Sequence, residues 1–256
     1  MVKGMETLRG GERMRNVQII VLGVCIAVAT IVSSLIFAGG FMRVMKFRSE
    51  VVEVTGSAQQ EIRSDLAVWD GRLSRRGTEL AAPYKMLKED LGKVKAYLGA
   101  QGVKEKEIEV FQVHTETLYK KDKDGENTNV IEGYLLSQTV EVRSTDVERV
   151  GKVSRESTDL IEQGVEFVSE TPSYFYTKLN ELKVEMLARA SENAKARADS
   201  MAKSTGSRVK MMQSAHMGVF QITPVDSTEV SGYGVNDTSA LVKKVTAVVT
   251  MTFALE

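Results

Sequence analysis

Cysteine is almost missing from this chain: one residue, Cys25, in 256. That excludes a disulfide framework and a cysteine-built zinc site. Proline is nearly as scarce, with three residues at Pro83, Pro172 and Pro224, too few for a proline-rich linker or a low-complexity chain. Net charge is absent as well. Thirty-four Lys and Arg balance 34 Asp and Glu, whereas a protein that coats nucleic acid should be visibly basic, so no nucleic-acid partner is expected.

The next absence is local. Residues 17–42 carry no charged side chain. A bilayer core needs about 20 apolar helical residues to be crossed, and this run is long enough. A cleavable signal peptide is the rival, because Arg13 and Arg15 precede the run. Its apolar core should span only about 7–15 residues before a small-x-small cleavage site. Here the run is longer, and Phe37 stands where a small residue is preferred. The reading is an uncleaved anchor in the lipid bilayer.

Around it, residues 1–16 form a short tail, 43–49 a basic linker and 50–256 the working domain. Lys3, Arg9, Arg13 and Arg15 precede the anchor; Arg43, Lys46 and Arg48 follow it. The positive-inside bias therefore favours a cytoplasmic N-terminus by a single residue. The expected topology is single-pass in the cytoplasmic (inner) membrane, with the domain on the extracytoplasmic side. Gly23, Ala27, Thr30, Ser34 and Ala38 place small residues along one face of the helix, where two anchors could approach closely. Cys25 belongs to the apolar run and is read as packing.

Beyond residue 49 the sequence alternates. Residues 50–63 and 65–77 read as two strands. Residues 78–98 switch to helical spacing, with Tyr84, Leu87, Leu91, Val94 and Leu98 in phase and Thr78 as the expected N-cap. Residues 108–119 and 130–143 form a second strand pair. A helix over 146–162, capped by Ser144 or Thr145, ends at Gly164. Short extended pieces at 165–170 and 174–176 precede the longest helix, 178–205, closed by Gly206. Strands at 208–219 and 242–255 flank a long loop. From 65 to 170 the order is strand, helix, strand, strand, helix, strand, that of a ferredoxin-like split β-α-β unit. The fold class is α+β, one domain with a mixed or antiparallel sheet.

No catalytic, cofactor or metal site emerges. The acidic stretch at Asp122, Asp124 and Glu126 has Gly125 in fourth rather than sixth place, and Gly133 stands where a calcium loop needs its bidentate Glu. It reads as a hairpin turn. His114 and His216 lie far apart, with no HxH or HExxH pattern beside them. No nucleophile elbow anchors a hydrolase triad. Gly232 and Gly234 make a lone GxG, without the third glycine of a phosphate loop.

Two features point to contacts instead. Ala190, Ala194, Ala198, Ala202 and Gly206 recur at steps of four along the long helix, a strip on which a sheet or partner helix can lie closely. The loop 220–240 mixes Phe220, Ile222, Pro224, Val225 and Tyr233 with small polar residues. Loops of this length in compact domains are usually functional or disordered, and the apolar anchors favour an ordered contact loop. Phe220, Ile222, Pro224 and Tyr233 are the expected oligomer or partner contacts.

These pieces together resemble the SIMPL-domain family of bacterial periplasmic or membrane-anchored proteins. The resemblance rests on Val54, Gly56, Ser57 and Ala58 followed by Ser64 and Asp65, where the family usually has V-x-G-x-G and then P-D-x-A. It rests also on Gly133 and Tyr134 leading into Gln138–Val142, on the Ala190–Gly206 helix, and on the run from Asn236 to Phe253. Ala58 and Ser64 depart from the family pattern. The resemblance implies an α+β domain outside the cytoplasmic membrane that forms homo-oligomers; it supplies no catalytic residue to carry over.

The leading expectation is thus a non-enzymatic envelope protein whose domain self-assembles into a homo-oligomeric scaffold. Two other readings stand beside it. One is an oxidative-stress-linked protective protein using Met211, Met212 and Met217, since the only Cys lies in the membrane run. The other is an accessory subunit of a different membrane protein.

Overall fold

The computed structural model describes residues 21–42 and 50–256. The tail 1–16, the first four residues of the predicted anchor and the linker 43–49 lie outside the described residues. Helix α1, Val21–Met42, has a mean hydropathy of 2.5 and no buried residue in its apolar window. At 22 residues it is about 33 Å long, enough to cross a bilayer core of about 30 Å.

The rest of the chain is strand β1 (Val51–Arg63), β2 (Leu66–Gly77), helix α2 (Ala81–Ala100), β3 (Ile108–Val110), β4 (His114–Lys121) and β5 (Asn127–Ser144). Helix α3 (Val147–Glu156), β6 (Phe167–Ser169), β7 (Ser173–Phe175) and helix α4 (Leu179–Ser204) follow. Strands β8 (Val209–Met217), β9 (Gln221–Pro224), β10 (Val235–Asn236) and β11 (Val242–Leu255) complete it. The described residues fall into two compact units: one holds 21–42, 50–54, 195–215 and 250–256, the other 55–194 and 216–249.

One sheet has the order β1-β11-β9-β10, with β8 also on β11. The other has the order β3-β5-β2-β6, with β4 on β5 and β7 on β2. In this second sheet β5, β6 and β7 all run antiparallel to β2, and β3 and β4 antiparallel to β5. Alternation sorts its side chains. Trp69 and Leu73 of β2 and Leu136, Val140 and Val142 of β5 share one core with Leu87, Val94 and Leu98 of α2 and Val150 and Val153 of α3. The Trp69 indole N–H donates to Ser169 Oγ at 3.0 Å, and that hydroxyl donates to the Ser154 carbonyl at 2.7 Å. The one polar atom of the largest core side chain is therefore satisfied.

A charged group is buried beside this core. Asp90 of α2 is 2% exposed and accepts from Arg75 Nε of β2 at 2.5 Å. Arg75 also donates to the Gly164 carbonyl, and Lys93 stands 3.7 Å from the carboxylate. The Asp90 hydrogen bond raises the Arg75 pKa, holding the guanidinium charged.

In the other sheet the helix contact is tighter. Ala190 and Ala194 of α4 are fully buried and lie directly over Gly56 of β1. The small strip is core packing, and Ala198 and Ala202 continue it as buried residues. Beyond the helix, Gly206 takes φ +77; its N–H donates to Lys203 O and the Ser207 N–H to Ala202 O. This is the Schellman closure that a C-terminal glycine permits.

Several boundaries differ from the sequence reading. Helix α2 starts at Ala81, with no side-chain cap at Leu80, so Thr78 does not cap it. Asp146 caps α3 by accepting the Arg149 N–H at 3.1 Å, while Ser144 Oγ accepts the Asp146 N–H one step earlier. The predicted strand 108–119 is broken at 111–113. There Gln138 Nε2 takes the Phe111 carbonyl at 2.7 Å. The long loop 220–240 contains β9 and β10, with β9 antiparallel to β11.

Candidate functional site

The face of the second sheet away from its helices carries the residues of opposite phase. Asp70 and Arg72 of β2 stand beside Glu141 and Thr139 of β5, their register partners. His114 of β4 is the partner of Ser137. Glu170 follows β6, its N–H donating to the Asp70 carbonyl at 3.0 Å. Phe111 and Gln112 lie where β3 gives way to β4. Together these residues line a cleft of about 680 Å³.

Its electrostatics are uneven. Partial burial pushes the Asp70 carboxyl up, and the Glu141 and Glu170 charges push it further, against Arg72 and Arg143. Glu141 is in turn paired with Arg143 at 3.2 Å. The cleft offers three carboxylates, a guanidinium, an imidazole and two hydroxyls on a rigid ladder. No side-chain hydrogen bond joins His114 to Ser137 among the described residues, and these residues contain no cluster of three or more His, Cys, Asp or Glu able to hold a metal ion.

A raised folded-state pKa means that ionised Asp70 weakens the fold above that pKa and costs nothing below the unfolded value, where both states are protonated. Asp70→Asn should therefore raise the Tm at about pH 7 and leave it unchanged at about pH 3. Circular-dichroism melts of the detergent-solubilised protein at the two pH values check this.

The SIMPL family model, described as a protein of unknown function (DUF541), matches residues 52–253. The chain belongs to the SIMPL family. No curated protein matches it.

The SIMPL motif residues can now be given physical roles, and the roles are structural. A Cβ on Gly56 would stand 2.2 Å from the Ala190 carbonyl oxygen, and one on Gly133 would stand 2.7 Å from that of Gly77. Asp65 accepts from the Thr177 N–H at 2.7 Å and its hydroxyl at 2.8 Å. Ser64, standing where the SIMPL pattern has proline, donates its N–H to the Leu241 carbonyl at 2.9 Å. Proline could not make that bond. The Ser64 hydroxyl is buried without a hydrogen-bond partner among the described residues.

The predicted contact residues of this SIMPL domain fall into different environments. Ile222 is 5% exposed. It sits in β9 opposite Val245 of β11. Phe220 is half-buried with the Lys183 ammonium 5.6 Å from its ring centre. Pro224 ends β9, half-buried. Tyr233 is 100% exposed. In the anchor, Gly23, Ala27, Thr30, Ser34 and Ala38 are all exposed, and the Thr30 hydroxyl donates back to the Ala27 carbonyl at 2.8 Å.

The loop that carries Tyr233 is held in one shape. Gln221 Nε2 donates to the Ser231 carbonyl at 2.8 Å while its Oε1 accepts the Ser231 N–H at 3.3 Å. Lys244 Nζ donates to the carbonyls of Val225 at 2.9 Å and Ser227 at 3.1 Å. Of the cleft residues, His114 alone is weighed for chemistry from sequence, and there as a metal ligand paired with the distant His216. The signal of the others was present as polar residues at period two, Asp70 and Arg72 against Thr139 and Glu141, but an outward sheet face gives the same pattern.

Proposed function

We propose that this protein is a non-enzymatic, single-pass envelope protein whose SIMPL domain self-assembles into a homo-oligomeric scaffold. In this reading α1 stays uncleaved in the cytoplasmic membrane, with the N-terminus inside and the domain on the extracytoplasmic side. The observation that carries it is Tyr233. A fully exposed tyrosine on a loop held before it by side-chain hydrogen bonds at Val225, Ser227 and Ser231, and after it by the pairing of Val235 with β9, is presented without further ordering cost, as interface aromatics are. Val230 of the same loop is exposed too. Gly56 and Gly133 serve close packing and Asp65 holds Thr177 by two hydrogen bonds, roles that support a scaffold.

Native mass spectrometry of the full-length protein in detergent at micromolar concentration should show a homo-oligomer. Tyr233→Ala should shift it toward smaller species, with a loss of about 2 kcal/mol if Tyr233 is a central contact. A wild-type chain that is only monomeric overturns the reading. A topology reporter after Glu256 tests the side of the membrane.

A further inference from the structure

Strand β8 is an edge strand: among the described residues its pairing is to β11. Edge strands in stable proteins are usually short, charged, bulged or covered, because their unpaired backbone invites another strand. Yet residues 210–217 of β8 are exposed on both faces. Met211, Met212 and Met217 are 74%, 51% and 62% exposed. No proline interrupts the strand. The other outer strand of the same sheet order is β1.

The two edges carry opposite charge. From Ser207 to Val219 the chain has Arg208, Lys210 and His216 and no Asp or Glu. The first part of β1, with the residue before it, has Glu50 and Glu53 and no Lys or Arg; Arg63, at the far end of the strand, is paired with Glu148. Lys210 is partly countered by Glu256 at 3.3 Å, but about half of its side chain stays open to solvent. Like edges offer each other no opposite charge: a β8–β8 pair gives Lys210 and Arg208 no acidic partner, and a β1–β1 pair gives Glu50 and Glu53 no basic one near its start.

We propose that β8 of one copy pairs with the first part of β1 of a second copy, so that the sheet runs on from subunit to subunit. This rests on the self-assembly reading above and specifies its surface. The usable stretch of β1 begins at Val51, which is 38% exposed. It ends at Val54, ahead of Ser57, whose N–H already donates to Asn193 Oδ1 at 3.2 Å. Pairing the two edges places Lys210 near Glu53 and gives the bare methionines an apolar neighbour in Val51. The contact is heterologous: each copy uses one edge to give and the other to receive. It therefore repeats, and closes only as a ring.

The test uses the full-length protein in detergent, with Cys25→Ser to clear the background thiol. Met212→Cys combined with either Val51→Cys or Glu53→Cys should give a ladder of disulfide-linked copies on oxidation. Lys210→Glu should weaken assembly roughly tenfold, and Lys210→Glu combined with Glu53→Lys should restore it. Three outcomes overturn the inference while leaving self-assembly standing: an intact oligomer with no ladder from either pair, dimers from Met212→Cys alone, or linkage of Met212→Cys in native membranes to a different polypeptide. A wild-type monomer removes both readings.

Discussion

Gly56→Val leaves little or no folded protein. A Cβ at this position would lie 2.2 Å from the Ala190 carbonyl oxygen, 2.4 Å from the Ala194 amide nitrogen and 2.6 Å from the Ala194 Cβ. Two of these atoms belong to the backbone of a 26-residue helix, so no rotamer change relieves the clash. Strand and helix must part, exposing Ala190 and Ala194, both now buried. A cost above about 4 kcal/mol is expected, in the range reserved for named structural failures. Gly92→Ala is the control, because nothing lies within 4 Å of its added methyl; there alanine should stabilise α2 by up to about 1 kcal/mol. Circular-dichroism melts and the yield of detergent-extracted protein separate the two.

Asp90→Ala should cost about 3–5 kcal/mol, the usual penalty for removing one partner of a buried ion pair. Its carboxylate is 3% exposed and its partner Arg75 only 19%. Without Asp90 the guanidinium keeps the Gly164 carbonyl but loses its counter-charge beside the core. The pair itself is a different matter. Arg75→Met with Asp90→Leu removes both charges and fills their volume, and should recover most of the loss, since buried pairs are often no better than apolar replacements. Urea denaturation of wild type, single and double variants measures both. A single variant as stable as wild type would show that Asp90 is solvated in practice.

These two positions show how far the sequence could be read. The alanine strip at 190–202 and the glycine at 56 were each visible, because a period of four and a missing side chain leave direct marks. Their being two sides of one contact was not visible, since they lie more than a hundred residues apart. The Asp90–Arg75 pair left no mark at all: an Asp in an amphipathic helix reads as solvated until the fold closes over it. The same holds for Ile222, whose loop looked irregular because β9 is only four residues long, too short to show alternation. The open cleft around Asp70 was hidden for the opposite reason. Its residues obey the ordinary in-and-out pattern of a strand, and only the break at 111–113 turns a flat face into a hollow.

Trp69 is the sole tryptophan of the chain. It is 1% exposed, with the Phe167 ring tilted 44° at 6.1 Å. Intrinsic fluorescence of this protein is thus a local optical gauge: its emission reports the sheet-and-helix core of the unit holding residues 55–194 and is blind to the unit holding the end of β11. Followed beside a signal from the whole backbone, that one chromophore distinguishes a chain that melts as one cooperative body from one that melts in two steps.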